Sequence, residues 1–154
     1  MEINLQNRKN LGINGIGRIG KLTLWNHLNM KHFDGIVINA GREVGRKLED
    51  IIQYITTDST YGNLDKFLYG FTGKTCEIKI QDREANLIEM DGIQVRILVK
   101  ARNPKEIDWA REGVRLVIDC TGQFVDPTLP ADHSKGSLRG HLEAGAEKVI
   151  VSAP

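Results

Sequence analysis

The chain has 154 residues, enough for one domain with a sizeable core. Its 40% hydrophobic and 27% charged residues are ordinary for a globular protein, and a formal net charge of +1 gives no strong pull toward nucleic acid or a membrane surface. It carries no apolar run long enough to span a bilayer and no N-terminal signal sequence, and two cysteines, Cys76 and Cys120, make no disulfide framework, so a reducing cytoplasm is the expected setting.

The first predicted element is a short apolar strand, LGIN (Leu11 to Asn14), running into four glycines within GINGIGRIG, residues Gly12 to Gly20. A helix should follow, with Ile19, Leu22, Trp25 and Leu28 recurring three apart as its apolar stripe. GIVIN (Gly35 to Asn39) reads as a second buried strand. In LEDIIQYI, Leu48, Ile51, Ile52 and Ile55 fall at i, i+3, i+4 and i+7, a helical spacing. The middle of the chain alternates instead: Cys76, Ile78 and Ile80, then Ile93, Val95, Ile97 and Val99. Asp91-Gly92 lies between, after NLIEM, and signals a tight hairpin. NPKEIDWAREG has Pro104 near a helix start and Gly113 just past its end. VRLVIDCTG (Val114 to Gly122) is a strand entering a glycine turn, and DPTLPADHSKGS is a polar loop. LRGHLEAGAEKVIVSAP reads as a short helix, a glycine stop and a final strand. Strands alternating with helices predict an α/β fold: a Rossmann-type, doubly wound, mainly parallel sheet with an antiparallel hairpin insertion. The four histidines show no metal-ligand spacing; His27 and His32, five apart, would not share a helix face, and no metal site is expected.

Gly15, Gly17 and Gly20 spell G-x-G-x-x-G. Alone the pattern is weak, since glycines also serve ordinary turns. Here it follows an apolar strand, opens an amphipathic helix and lies in a β-α-β unit of about 30 residues, the context a dinucleotide site requires. Glycines let the backbone approach a pyrophosphate, and the helix N-terminus offers free N–H groups. The acid that normally closes the second strand and holds the adenosine ribose is missing. Its place is taken by Ala40 or Gly41, and Arg42 comes next. A small residue followed by arginine would admit and pair a 2′-phosphate, so the pattern leans to NADP over NAD. Two features count the other way. Arg42, Arg46 and Lys47 could form a solvated helix face, and Glu43 could turn inward to serve the ribose.

GINGIGRIG, DSTYG (Asp58 to Gly62), RNPKEIDW, CTGQF and HLEAGAEKVIVSAP occur in that order at suitable spacings. As a set they closely resemble the N-terminal cofactor domain of the glyceraldehyde-3-phosphate dehydrogenase family, over roughly Asn10 to Pro154. The resemblance implies that residues 1–154 form an NAD(P)-binding domain cut from a longer chain, with the catalytic domain absent. It implies that Asn14, Gly15, Gly17, Arg18 and Ile19 lie against the cofactor, with backbone N–H groups at the pyrophosphate and the Ile19 side chain near the nicotinamide. Ala40 stands where the family usually has its ribose-binding aspartate, beside Gly41 and Arg42. Arg102 matches an arginine on the adenine side. Cys120 stands where the family often has serine, and Thr121, Gly122 and Phe124 match a turn lining the nicotinamide side. Three departures stand out: the missing aspartate, a longer DPTLPADHSKGS connection, and the absence of the family's catalytic cysteine and histidine.

Neither cysteine reads as a nucleophile. Cys120 is a strand-end residue near the ligand, and Cys76 is packing, so no catalytic residue is expected in this chain. In a full-length parent, the resemblance implies hydride transfer from a cysteine-bound hemithioacetal to NAD(P), a phosphorylated aldehyde as substrate, and a homotetramer. The alternatives are a free-standing nucleotide-binding or regulatory module, and the cofactor domain of a related phosphorylated-aldehyde or semialdehyde dehydrogenase.

Overall fold

The computed structural model describes residues 8–99 and 102–153; Pro154, which closes the last motif, lies outside them. Strand β1 (Asn10–Asn14) is buried along its whole length. Helix α1 (Arg18–Met30) carries the chain back to β2 (Gly35–Asn39), which lies parallel to β1 with Asn14 opposite Asn39. Helix α2 (Leu48–Thr56) buries Leu48, Ile51 and Ile55, as the spacing predicts. A two-stranded hairpin, β3 (Thr57–Asp58) with β4 (Gly62–Asn63), and a short helix α3 (Leu64–Tyr69) follow. Next come β5 (Ile78–Asp82), β6 (Leu87–Met90) and β7 (Ile93–Leu98), paired antiparallel in succession. Then come β8 (Val114–Asp119), α4 (Leu138–Glu143) and β9 (Lys148–Val151).

The main sheet has the order β5-β6-β7-β2-β1-β8-β9. β1 pairs in parallel with β2 on one side and β8 on the other, so the strand order reverses at β1. Ligands of such sheets bind at the carboxyl ends of the strands where this reversal opens a crevice. One apolar cluster, with Leu24, Trp25, Leu28, Ile51 and Ile55, joins α1 and α2 to one face of the sheet. A smaller one, with Ile107, Trp109, Val117 and Ala146, covers the other. The hairpin insertion is present as read. Asp91 (φ 47°) and Gly92 (φ 84°) both take positive φ, the two-residue turn whose twist matches the strands.

Three details of the sequence reading are corrected. The buried stripe of α1 is Lys21, Leu24, Trp25 and Leu28, while Ile19 is 45% exposed. A strict three-residue spacing drifts around a helix of 3.6 residues per turn, so Ile19 and Leu28 point about 180° apart. Second, NPKEIDWAREG is not a helix. Only Pro104–Glu106 forms a single 3-10 turn, followed by turns up to Gly113. Ile107 and Trp109 are both fully buried in the same cluster, and residues two apart cannot share a helix face. Third, the alternating runs are shorter than read: Cys76 precedes β5, and Val99, after β7, is exposed. No helix among the described residues is long and apolar enough to cross a membrane.

The DSTYG segment ties these layers together. Asp58 Oδ1 accepts the N–H groups of Thr60 (2.8 Å) and Tyr61 (3.1 Å), and these backbone donors hold its carboxyl below its ordinary pKa. Its Oδ2 lies 3.5 Å from Nζ of the buried Lys21, which also donates to the Thr57 carbonyl (2.8 Å) and sits over the Tyr54 ring. A lysine on the inner face of α1 is thereby satisfied rather than stranded.

Candidate dinucleotide-binding site

The three glycines of the motif serve three different physical needs. Gly15 takes φ +91°, which L side chains rarely adopt, and turns the chain sharply out of β1. A Cβ on Gly20 would sit 2.1 Å from the Gly15 carbonyl oxygen, so only glycine lets α1 pack this close to the turn. Gly17 is different. Its φ of −69° suits any residue, and a Cβ there would meet nothing within 4 Å. Neither strain nor packing within the chain explains it. The space beside it is open to the cleft.

Gly17 is also the N-cap of α1, and no side chain caps this end. The first turn therefore presents free N–H groups and the positive end of the helix dipole to the cleft. Such an end matches a phosphate oxygen in charge and geometry. The cleft has a volume of about 350 Å³. It brings together nine residues singled out from the sequence: Asn14, Gly15 and Gly17 at the loop, Ala40, Gly41 and Arg42 after β2, Arg102, and Cys120 with Thr121 after β8. Ile16 and Gln123 join them, unforeseen, because loop backbone and a turn residue carry no sequence signal of their own. Four expected residues lie off the cleft lining. Arg18 and Ile19 are exposed at the start of α1, and Gly122 (φ +67°) makes the exposed turn after β8. Phe124 is buried and faces an adjoining hollow with Leu129 and His133.

The two ends of the cleft differ in charge. At the β2 end, Arg42 and Arg102 supply two exposed cations, and Arg42 Nη2 donates to the Tyr54 hydroxyl at 3.1 Å. α2 begins only at Leu48, so Arg42, Arg46 and Lys47 do not form a helix face. Asp50 Oδ2 accepts the backbone N–H groups of Arg46 and Lys47 at 3.0 Å each and so closes the start of that helix. Glu43 is exposed and does not line the cleft.

Under the β1–β8 end lies a buried polar relay that sequence reading missed. Asn39 Nδ2 donates to Asn14 Oδ1 (2.9 Å), and Asn14 Nδ2 donates to Asp119 Oδ2 (2.9 Å). Asp119 Oδ1 accepts the Thr121 N–H (3.0 Å) and hydroxyl (2.6 Å). His141 Nε2 faces Asp119 Oδ2 at 2.8 Å, and Trp109 Nε1 donates to His141 Nδ1 at 2.9 Å. The signal was an acid at the end of VRLVID and a histidine in RGHLEAG, but only the fold brings them together. Burial raises the Asp119 pKa; the hydrogen bonds from His141, Thr121 and Asn14 outweigh it, and the net shift is downward. A carboxyl held below its ordinary value of about 4 stabilises the fold above that pH, and the contribution is lost as pH falls through the lowered value. Asp119→Asn should cost about 2 kcal/mol at pH 7. Urea unfolding at several pH values should show the gap between wild type and variant narrowing below about pH 4; a constant gap would mean the charge is not what stabilises.

Both thiols are driven away from the thiolate. Burial pushes Cys120 up, and burial with the nearby Asp91 carboxylate pushes Cys76 to about 12. Among the described residues, no group of three His, Cys, Asp or Glu side chains is placed to hold a metal ion.

A glycine cradle beneath an uncapped helix N-terminus, at the switch point of a mainly parallel sheet, defines a dinucleotide-binding α/β domain. Residues 9–127 match the family described as the glyceraldehyde 3-phosphate dehydrogenase NAD binding domain, and the chain belongs to that family. Among similar proteins are glyceraldehyde-3-phosphate dehydrogenase 1 of Bacillus subtilis (strain 168), 33% identical over 144 residues, and the cytosolic glyceraldehyde-3-phosphate dehydrogenase of Taxus baccata, 31% identical over 144 residues. The glyceraldehyde-3-phosphate dehydrogenase of Heyndrickxia coagulans is 33% identical over 148 residues. Each comparison covers 94% of this chain but only 35–36% of the relative, so the chain spans about a third of the length of these proteins.

Proposed function

We propose that this chain holds NADP, in preference to NAD, in the cleft between β2, β1 and β8, as the cofactor domain of a phosphorylating glyceraldehyde-3-phosphate dehydrogenase. The observation that carries the reading is Gly17, kept free of a side chain with nothing in the protein to require it. The first-turn N–H groups of α1 would hold the pyrophosphate. Bound there, the nicotinamide supplies a hydride acceptor. The adenosine half would lie toward β2, where Ala40 presents a methyl group in place of a carboxylate. Arg42 would pair with a 2′-phosphate, and Arg102 would line the same end. The raised thiol pKa values of Cys76 and Cys120 support a nucleophile supplied from outside these residues. The phosphorylated aldehyde substrate, the homotetramer and the cytoplasmic setting come with this reading, and what supports them is family membership.

Cofactor preference is tested by equilibrium titration with NAD and NADP of wild type, Ala40→Asp and Arg42→Ala. One charge-assisted hydrogen bond contributes about 1.5–3 kcal/mol, roughly ten- to a hundredfold in affinity. Ala40→Asp should favour NAD by repelling the 2′-phosphate. Arg42→Ala should weaken NADP alone, and the effect of Arg42 should shrink with salt because the site opens to solvent. A wild type that prefers NAD, with Arg42→Ala altering neither affinity, would make Arg42 a surface charge.

A further inference from the structure

Among the described residues Glu112 and Asp119 are buried, and the half-buried Asp58 keeps its side chain only 4% exposed. Two of these three carboxylates have a cation beside them. Lys21 Nζ stands 3.5 Å from Asp58, and Arg96 Nε stands 3.0 Å from Glu112. Asp119, 1% exposed, does not. Its only ion-pair partner among the described residues is His141, also fully buried. Trp109 decides whether that histidine is charged. An indole N–H can only donate, so Nδ1 of His141 must accept, and the imidazole proton resides on Nε2, facing the carboxylate. His141 therefore meets Asp119 as a neutral donor. The other donors, the Asn14 amide and the Thr121 hydroxyl and backbone N–H, are neutral too. The carboxylate is well solvated by dipoles, but its negative charge is left uncompensated inside the protein. The dipoles keep the carboxylate ionised, and a fixed negative charge in surroundings less polar than water attracts a cation that comes near.

The charge sits one side chain behind the cleft wall, since Asn14 and Thr121 both touch it and both line the cleft. It also sits at a defined end. In sheets of this kind the adenosine ribose lies at the end of β2, and the dinucleotide crosses the switch point at β1. The other half must then lie toward β8, beside Thr121. We propose that Asp119 biases the cleft toward the oxidised, cationic form of the nicotinamide over the neutral reduced form, favouring capture of the one and release of the other. The inference rests on the dinucleotide-binding reading. Two unit charges acting across about 8 Å, in a medium of effective dielectric about 20, are enough to change an affinity about tenfold after allowance for solvent.

The test compares the dissociation constants of oxidised and reduced dinucleotide, and of ADP-ribose, which has no nicotinamide, for wild type and Asp119→Asn. Wild type should bind the oxidised form about tenfold more tightly than the reduced one. Asp119→Asn should lose most of that preference and bind ADP-ribose within about threefold of wild type. A merely structural role would lower all three affinities together and leave the ratio alone, and either an unchanged ratio or a parallel loss overturns the proposal. If ADP-ribose and both dinucleotides fail to bind wild type, the dinucleotide reading itself falls with it. Should Asp119→Asn not fold by circular dichroism, the wild-type ratio decides: a reduced form bound as tightly as the oxidised one contradicts the role given to Asp119.

Discussion

Gly17→Val should fold like wild type and lose roughly 100-fold or more in dinucleotide affinity. The backbone at Gly17 has φ −69°, and a Cβ would find open space within 4 Å, so nothing in the protein resists a side chain. The space it would fill lies at the uncapped end of α1, where a phosphate must approach the N–H groups closely to gain from them. A branched side chain holds the phosphate away from those donors and from the helix dipole. Thermal unfolding should show the melting temperature of Gly17→Val within a few degrees of wild type, and calorimetric titration should show the loss of binding. Retained affinity in a folded variant would reduce the motif to a turn.

Gly20→Ala should do the opposite and strike the fold directly. The added methyl would lie 2.1 Å from the Gly15 carbonyl oxygen and 3.0 Å from its carbon. Both are backbone atoms, so no flexible side chain can move aside. Either α1 lifts from the loop or the Gly15 turn opens, and Gly15 N–H already donates to the Asn39 carbonyl at 2.9 Å. Overpacking of this kind costs about 3 kcal/mol, a large share of the roughly 5–15 kcal/mol that holds a domain together. The melting temperature should fall by roughly 10 °C. Gly17→Ala, one turn away on the same motif, is the matched control and should leave stability unchanged. Equal melting temperatures for Gly20→Ala and wild type would contradict the close packing of α1 on the loop.

The sheet and its order of elements were legible because each signal was local. Buried strands such as GIVIN, the stripe of LEDIIQYI and the Asp91-Gly92 turn each state their conformation within a few residues. The helix expected in NPKEIDWAREG failed because a tertiary demand overrode a local one: Ile107 and Trp109 must both enter one apolar cluster. Most of the glycine loop, with Ala40, Arg42 and Thr121, shares one cleft as the sequence suggests, because the motif has a fixed geometry. The relay through Asn39, Asn14, Asp119, His141 and Trp109 was not, because its members are as much as 102 positions apart in number (141 − 39) and each, alone, is an ordinary polar residue. Only the parallel pairing of β1 with β2 and β8 sets Asn39, Asn14 and Asp119 side by side at one end of the sheet.

A dinucleotide held in the cleft at the carboxyl ends of β2, β1 and β8 must perturb the residues that line it. Backbone amide resonances of the protein, followed by NMR during titration with NADP and with NAD, test this most directly, because each residue reports separately. Saturable shifts should concentrate at Gly15 to Gly20, at Ala40 to Arg42 and at Thr121, with the Gly17 region moving for both cofactors and Arg42 moving more for NADP. Shifts that never saturate, or that fall on the hairpin β5–β6 and leave the glycine loop unmoved, would contradict binding in the cleft.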